Sequence, residues 1–271
     1  MTAVATPAGE LQVRIGVTPA RVVRSEWIKL RSLRSSWITL AVAFVLMVGV
    51  GVLVCWSVNA RWDHLSVQER LRFDPLFRSL VGINLAQLAL AVLGVLVVTG
   101  EYGTGMIRST LAAVPRRLPV VPAKLAVFGL TALVVGMASA FVSFFAGQAA
   151  LGTHATTIGA PHVLRAVAGA GLYLALVSLF AVGVGFIIRN TAGGIATVFG
   201  LVLVLPGISQ ALPSAWQPYV VPYLFSNAGT ALYTIRPGAN TLDPWSGLGV
   251  LVGWVVAAVV AGTVMLRSRD A

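Results

Sequence analysis

Charge is what this sequence has least of. Only 10% of its 271 residues are Asp, Glu, Lys or Arg, against 58% hydrophobic. Soluble domains carry about 25% charged residues, so a chain this poor in charge cannot face water on all sides. A water-soluble enzyme is excluded, and so is a disordered chain. The single cysteine, Cys55, excludes an internal disulfide and a cysteine-based metal cluster. No Gly-x-x-x-x-Gly-Lys-Ser/Thr phosphate loop occurs, so ATP hydrolysis by that route is closed to this chain. No Gly-x-Ser-x-Gly elbow occurs either. His154 and His162 share one loop but lack a third ligand, which makes a poor zinc site. Catalytic, metal-binding and cofactor-binding residues are therefore expected to be none. Acidic residues number 8 against 19 basic ones, for a net charge of +11. Of those bases 17 are Arg and 2 are Lys, a bias that reads as GC-rich bacterial coding. In so apolar a chain the basic excess reads as a topology signal, and no nucleic-acid partner is expected.

What the sequence does have is long apolar runs. A helix crosses a bilayer core with about 20 apolar residues. Cutting the chain at its charged residues predicts six spans, near 35–60, 79–100, 126–150, 166–188, 193–212 and 244–266. Pro206, Pro213, Pro218 and Pro222 punctuate the run after 193. Proline inside a helix costs about 3 kcal/mol, so that run reads as one span followed by an outer segment that dips into the membrane without crossing. The fold class expected is an all-α integral membrane protein with six transmembrane helices. Residues 1–17 read as a disordered tail, 18–34 as an amphipathic interfacial helix, 35–266 as the membrane domain and 267–271 as a C-terminal tail. With the N-terminus in the cytoplasm, 13 Lys and Arg fall inside and 6 outside, while the acids split four and four. Both termini are then cytoplasmic, in the inner membrane of a bacterial cell. No Asp, Glu, Lys or Arg falls inside an assigned span, which argues against an ion-coupled carrier.

Two charged segments break the apolar pattern. The first is Thr18 to Arg34. Thr18 followed by Pro19 is a helix start, because the hydroxyl caps free amides and proline suits the first turn. At 100° per residue, Val22, Val23, Trp27, Leu30 and Leu33 share one side and Arg21, Arg24, Lys29 and Arg31 fall elsewhere. Glu26 lies inside the apolar sector, where a carboxylate needs a cationic partner. That partner is either Lys29, three residues on, or a base beyond the helix. The second segment is Glu101 to Arg117. Ile107, Leu111 and Val114 recur at helical spacing until Pro115, and Gly103 and Gly105 permit a sharp turn out of the membrane. A short amphipathic helix there, with Arg108, Arg116 and Arg117 around it, suits a groove in a soluble partner.

Together the segments carry a resemblance. Ser25-Glu26-Trp27-Ile28-Lys29-Leu30-Arg31-Ser32 and the Glu-Tyr-x-x-Gly-x-Ile-Arg-x-Thr-Leu-x-x-x-Pro-x-Arg pattern from Glu101 to Arg117, followed by Lys124, resemble the permease subunit of a type-2 ABC exporter, especially its actinobacterial members. The outer proline-rich segment with Ser226-Asn227-Ala228-Gly229 fits the same pattern, and Met106 departs from it where the family has Thr. The resemblance implies that Glu26, Glu101, Gly105, Arg108, Leu111, Pro115 and Arg117 form the surface that receives an ABC ATPase subunit. It implies ATP and Mg in that partner and no cofactor in this chain, and a second permease copy or a sister permease in a homo- or heterodimer within the membrane lipid. The expected activity is export of a hydrophobic or amphipathic substrate. The alternatives are an ion-coupled or passive carrier, or a non-transporting assembly or sensory protein. Asn84 and Gln87 in the second span, on a stripe with Ala91 and Gly94, either line a pathway or pack against a neighbour. Thr197 and Pro206 are the candidate pathway residues of the fifth span, with Pro206 as its kink.

Overall fold

The computed structural model describes residues 18–106, 120–236, 238 and 240–268. The tail 1–17 and the loop residues Arg108, Leu111, Pro115 and Arg117 lie outside the described residues. Every regular element among the described residues is a helix, and six stretches are long and apolar enough to cross a membrane.

Helix α1 (Pro19–Ser32) starts where its capping residues dictate. The Thr18 hydroxyl accepts from the Arg21 amide at 3.4 Å, and Pro19 occupies the first turn. Its buried stripe is Val22, Glu26 and Leu30, at a four-residue interval. Val23, Trp27 and Leu33 are exposed, so the apolar sector of the wheel divides: one edge packs on protein and the other faces outward. Leu33 separates α1 from α2 (Arg34–Ala60), the first long apolar helix.

At the far end of the bundle, residues 61–72 are mostly exposed, and Leu76 just after them is buried. Helix α3 (Val67–Leu71) begins with a capping box between Ser66 and Glu69, and α4 (Pro75–Leu80) is capped by Asp74. The His154 ring stacks on Trp62 at 3.7 Å, and His162 instead begins a helix in a left-handed conformation (φ 64°). The chain then returns through α5 (Ile83–Gly103). Helix α6 (Val120–Leu151) runs back to the far end and α7 (Val163–Ile188) returns.

Helix α7 is the centre of the fold, with 78% of its apolar window buried against protein. Small residues make that possible. A Cβ added at Gly94 of α5 would lie 2.5 Å from the Ser178 carbonyl oxygen, so α5 and α7 touch backbone to backbone. The small pairs Gly136/Ala140, Ala166/Ala170 and Ala181/Gly185 all sit in such contacts or are wholly buried. The last helix, α12 (Pro244–Ser268), crosses α7 at Gly183.

Helix boundaries correct one expectation. Helix α6, Val120–Leu151 among the described residues, extends ahead of the expected 126 and contains Lys124; α5 runs to Gly103 and contains Glu101. Cutting the sequence at charges had placed both outside the spans. They sit within the helices because they neutralise each other, as the site geometry below makes plain.

The fifth apolar stretch is irregular: α8 (Thr191–Phe199), a π-helical turn (Gly200–Val204), then α9 (Leu205–Ser209). Pro206 lacks the N–H that an α-helix aims at the Val202 carbonyl. The Ser226 hydroxyl donates to that carbonyl instead. Ser226 lies on α11 (Phe225–Tyr233), reached through α10 (Gln217–Val220) and a 3-10 turn. With nine residues α11 is too short to cross a bilayer, and it packs against α7 and α12. Arg165 closes its end by donating to the carbonyls of Leu232 (3.0 Å) and Thr234 (2.9 Å).

Removing the hydroxyl leaves a buried carbonyl unmet. Ser226→Ala is expected to lower stability by about 1–3 kcal/mol. The loss should shrink in a Pro206→Ala background, where residue 206 regains its N–H. Thermal unfolding of the four proteins of this double-mutant cycle in detergent reads the coupling.

Candidate functional site

Four ionisable side chains meet where α1, α5 and α6 converge. Lys29 Nζ donates to Glu26 Oε1 at 2.7 Å and to Glu101 Oε1 at 3.0 Å. Lys124 Nζ donates to Glu26 Oε2 at 2.6 Å, to Glu101 Oε1 at 2.7 Å and to the Val97 carbonyl at 3.2 Å. The four form a closed, alternating ring of net charge zero. Lys124, Glu26 and Glu101 are each no more than 5% exposed at the side chain, and Lys29 is 20% exposed.

Each placement follows from local structure. Glu26 sits mid-stripe on the buried side of α1, and Lys29, one turn on, reaches the same carboxylate from the edge. Glu101 is in the last turn of α5 and Lys124 lies on α6, so the ring joins α1 to both of the helices that flank residues 104–119. Both readings of Glu26 hold at once: it pairs locally with Lys29 and across helices with Lys124. Burial alone would raise the Glu26 pKa. The Lys124 ammonium, aided by Lys29, overrides that and holds the carboxyl below its usual range. Burial likewise opposes the charge on Lys29, but the two carboxylates raise its pKa above the ordinary lysine value.

The ring uses both lysines of the chain. Lys124 meets three acceptors with a compact ammonium that has three protons to give. A planar guanidinium presents a fork and does not fit that convergence. Sequence reasoning placed Glu26 and Glu101 in the site and left Lys124 as a motif companion. The signal that could have found it was composition: two lysines among 17 arginines.

A second clamp holds the neighbouring residue. The Arg189 guanidinium lies over the Tyr102 ring, 5.2 Å from its centroid, and donates to the Met265 carbonyl at 2.6 Å. Arg189 ends α7 in a left-handed conformation (φ 56°) with its amide bonded to the Gly185 carbonyl. The last turn of α5 is thus fixed on one side to α1 and α6 and on the other to α7 and α12. Beyond it, Thr104 returns its hydroxyl to the Gly100 carbonyl at 2.9 Å, and Gly105 takes φ 71°, which starts the loop with a sharp turn.

The candidate pathway residues behave differently. Gln87 is buried and accepts from the Tyr173 hydroxyl at 2.5 Å, and Gly94 packs on α7. Asn84 is exposed and donates to the Val81 carbonyl at 3.0 Å. Thr197 is half-buried and bonds within its own helix to the Gly193 carbonyl. Pro206 follows the π-helical turn described above.

Breaking one partner of a buried ion pair costs about 3–5 kcal/mol, because the other charge stays buried and unpaired. Glu26→Lys or Lys124→Glu alone is expected to destabilise by that order, and the double reversal to recover much of it, measured by thermal unfolding in detergent. The depressed Glu26 pKa makes its contribution present above the ordinary carboxyl range and lost as pH falls through its folded value. The raised Lys29 pKa makes its contribution present at neutral pH and lost as pH rises through its folded value. Proteolysis of α1 should therefore stay slow across the neutral range and accelerate at both extremes.

Comparison with known proteins gives the frame for this geometry. The profile of the "ABC-2 family transporter protein" family matches residues 22–207. The match begins in α1, contains all four ring residues and ends in α9. No curated protein matches the sequence. With more than half of the chain matched and six helices fit to cross a membrane, the chain belongs to the ABC-2 transporter family, as a multi-pass membrane permease.

Proposed function

We propose that this chain is the membrane-spanning subunit of an ATP-driven exporter, coupled to a separate ABC ATPase subunit through the end of the bundle that carries α1. The observation that carries this reading is the buried ring of Glu26, Lys29, Glu101 and Lys124. It welds α1 to both helices flanking the loop 104–119, so a push on that loop or on α1 reaches the membrane helices as one movement. Supporting it, the sequence places 13 Lys and Arg at that end against 6 at the other, the arrangement of a cytoplasmic face. In this orientation both termini are cytoplasmic, in the inner membrane of a bacterium.

The roles then divide. The ring and Gly105 set the position and exit angle of the loop, while Arg108, Leu111, Pro115 and Arg117 meet the ATPase. ATP and Mg belong to that partner. A second permease, identical or a sister chain, completes the transporter. A hydrophobic or amphipathic cargo fits an interior whose buried charges are concentrated in one neutral ring.

The ATPase subunit is expected to co-purify with the wild-type chain from detergent. Leu111→Asp should abolish co-purification and leave the thermal midpoint of the permease unchanged. Glu101→Gln should lower both, because it strips the ring of a counter-charge. Full transport by the chain reconstituted alone in liposomes would overturn the proposal.

A further inference from the structure

A cavity of about 270 Å3 opens beside the ionic ring, between α1, α2, α5 and α6. Its lining on α5 runs from Leu93 to Thr104, about 16 Å of helix at 1.5 Å per residue. Leu93, Leu96 and Phe128 wall one end, and Lys29, Ser35 and Thr104 the other. Leu96 stands inside an apolar span and is 37% exposed, so the apolar end is open at the side of the bundle, where hydrocarbon lies. The cavity grades from apolar to polar along α5, the profile of a site for one acyl chain and its head.

Charge at the polar end selects the sign of that head. The ring is neutral as a whole but does not present its charges evenly. Glu26, Glu101 and Lys124 are held inward, no more than 5% exposed, whereas Lys29 is 20% exposed and lines the cavity. An ion entering from the cavity therefore meets an ammonium first, with the carboxylates behind it. The surface around the cavity has the same sign. Glu26 is the only acid among residues 18–36 and is committed to the ring, while Arg24, Arg31 and Arg34 are exposed at that end. A basic cluster beside a membrane surface attracts anionic lipid heads and repels cationic ones. The attraction acts between charges and needs no unused proton on Lys29, whose ammonium is bonded to both carboxylates.

We propose that this cavity holds one anionic phospholipid of the adjoining leaflet, its phosphate beside the Lys29 ammonium and one acyl chain along Leu93, Leu96 and Phe128. A soluble phosphate would leave the apolar end empty, and the exposed arginines alone would gather anionic lipid without giving any one molecule a seat. The site stands apart from the exporter reading, since it is complete in the isolated chain and its occupancy is read without ATP or an ATPase.

The full-length chain, purified in non-ionic detergent, is titrated with phosphatidylglycerol and with phosphatidylcholine of the same acyl chains, and bound lipid is counted by native mass spectrometry. One phosphatidylglycerol per chain is expected to bind about tenfold or more tighter than phosphatidylcholine, with any further molecules held weakly. Two substitutions fill the cavity from open positions: Leu96→Trp, and Gly100→Leu, where an added Cβ meets nothing within 4 Å. Each should remove the single tight site with the thermal midpoint retained. Glycerol phosphate, which has the head without the chains, should not compete. Equal affinity for the two lipids, a tight site unchanged in a stable Leu96→Trp or Gly100→Leu protein, or full competition by glycerol phosphate overturns the proposal.

Discussion

Four buried charges that must be brought together at once constrain the rest of this structure. Each ion taken from water costs several kcal/mol even after relaxation, and only close opposite charges with satisfied hydrogen bonds offset that cost. Glu26 and Lys29 arrive on α1, Glu101 at the end of α5 and Lys124 near the start of α6. Each of the three helices buries a charge whose partner another of them supplies. The ring is therefore a condition on assembly as well as a contact: it makes α1, which has few other buried residues, part of the bundle.

Packing density is distributed unevenly around that anchor. Helix α7 is enclosed by α5, α6 and α12 through glycine and alanine contacts, with 78% of its window buried. The fifth and last spans bury only 17% each. Without a hydrophobic force between helices in lipid, close van der Waals contact and hydrogen bonds decide which helices hold together. By that measure α5, α6 and α7 form a stiff core, and the stretch from Thr191 to Ser209 is held more loosely, with a π-helical turn whose freed carbonyl depends on Ser226.

Much of this was legible in sequence. Six apolar runs gave six helices, Thr18 and Pro19 gave the start of α1, and the wheel flagged Glu26 as a carboxylate in the wrong sector. The failures have a common cause. Treating each charge as a span boundary places every ion outside the helices by construction, and so hides Glu101 and Lys124, whose burial is possible only as a pair. The wheel also treated Val23, Trp27 and Leu33 as one face with Val22 and Leu30, although they are exposed; a helix that lies between protein and a membrane surface has two apolar edges, and periodicity alone cannot separate them. The partnership of Pro206 with Ser226 is beyond local sequence altogether, because it joins residues that only the tertiary fold brings together.

The same geometry limits how the bundle can move. Sliding α5 by one turn against α1 and α6 shifts Glu101 by about 5.4 Å, which separates it from Lys29 and Lys124 and leaves charge unpaired in a buried site. The Tyr102–Arg189 contact opposes the same shift from the side of α7. A displacement applied at the loop after Gly105 is therefore carried by the ends of α1, α5, α6 and α7 together. Compliance must come from where no charge is at stake. That is the fifth stretch, where hydrogen bonds rearrange around a proline and the surrounding contacts are sparse. The burial of the only two lysines against two glutamates ties the ends of three helices together at one end of the bundle.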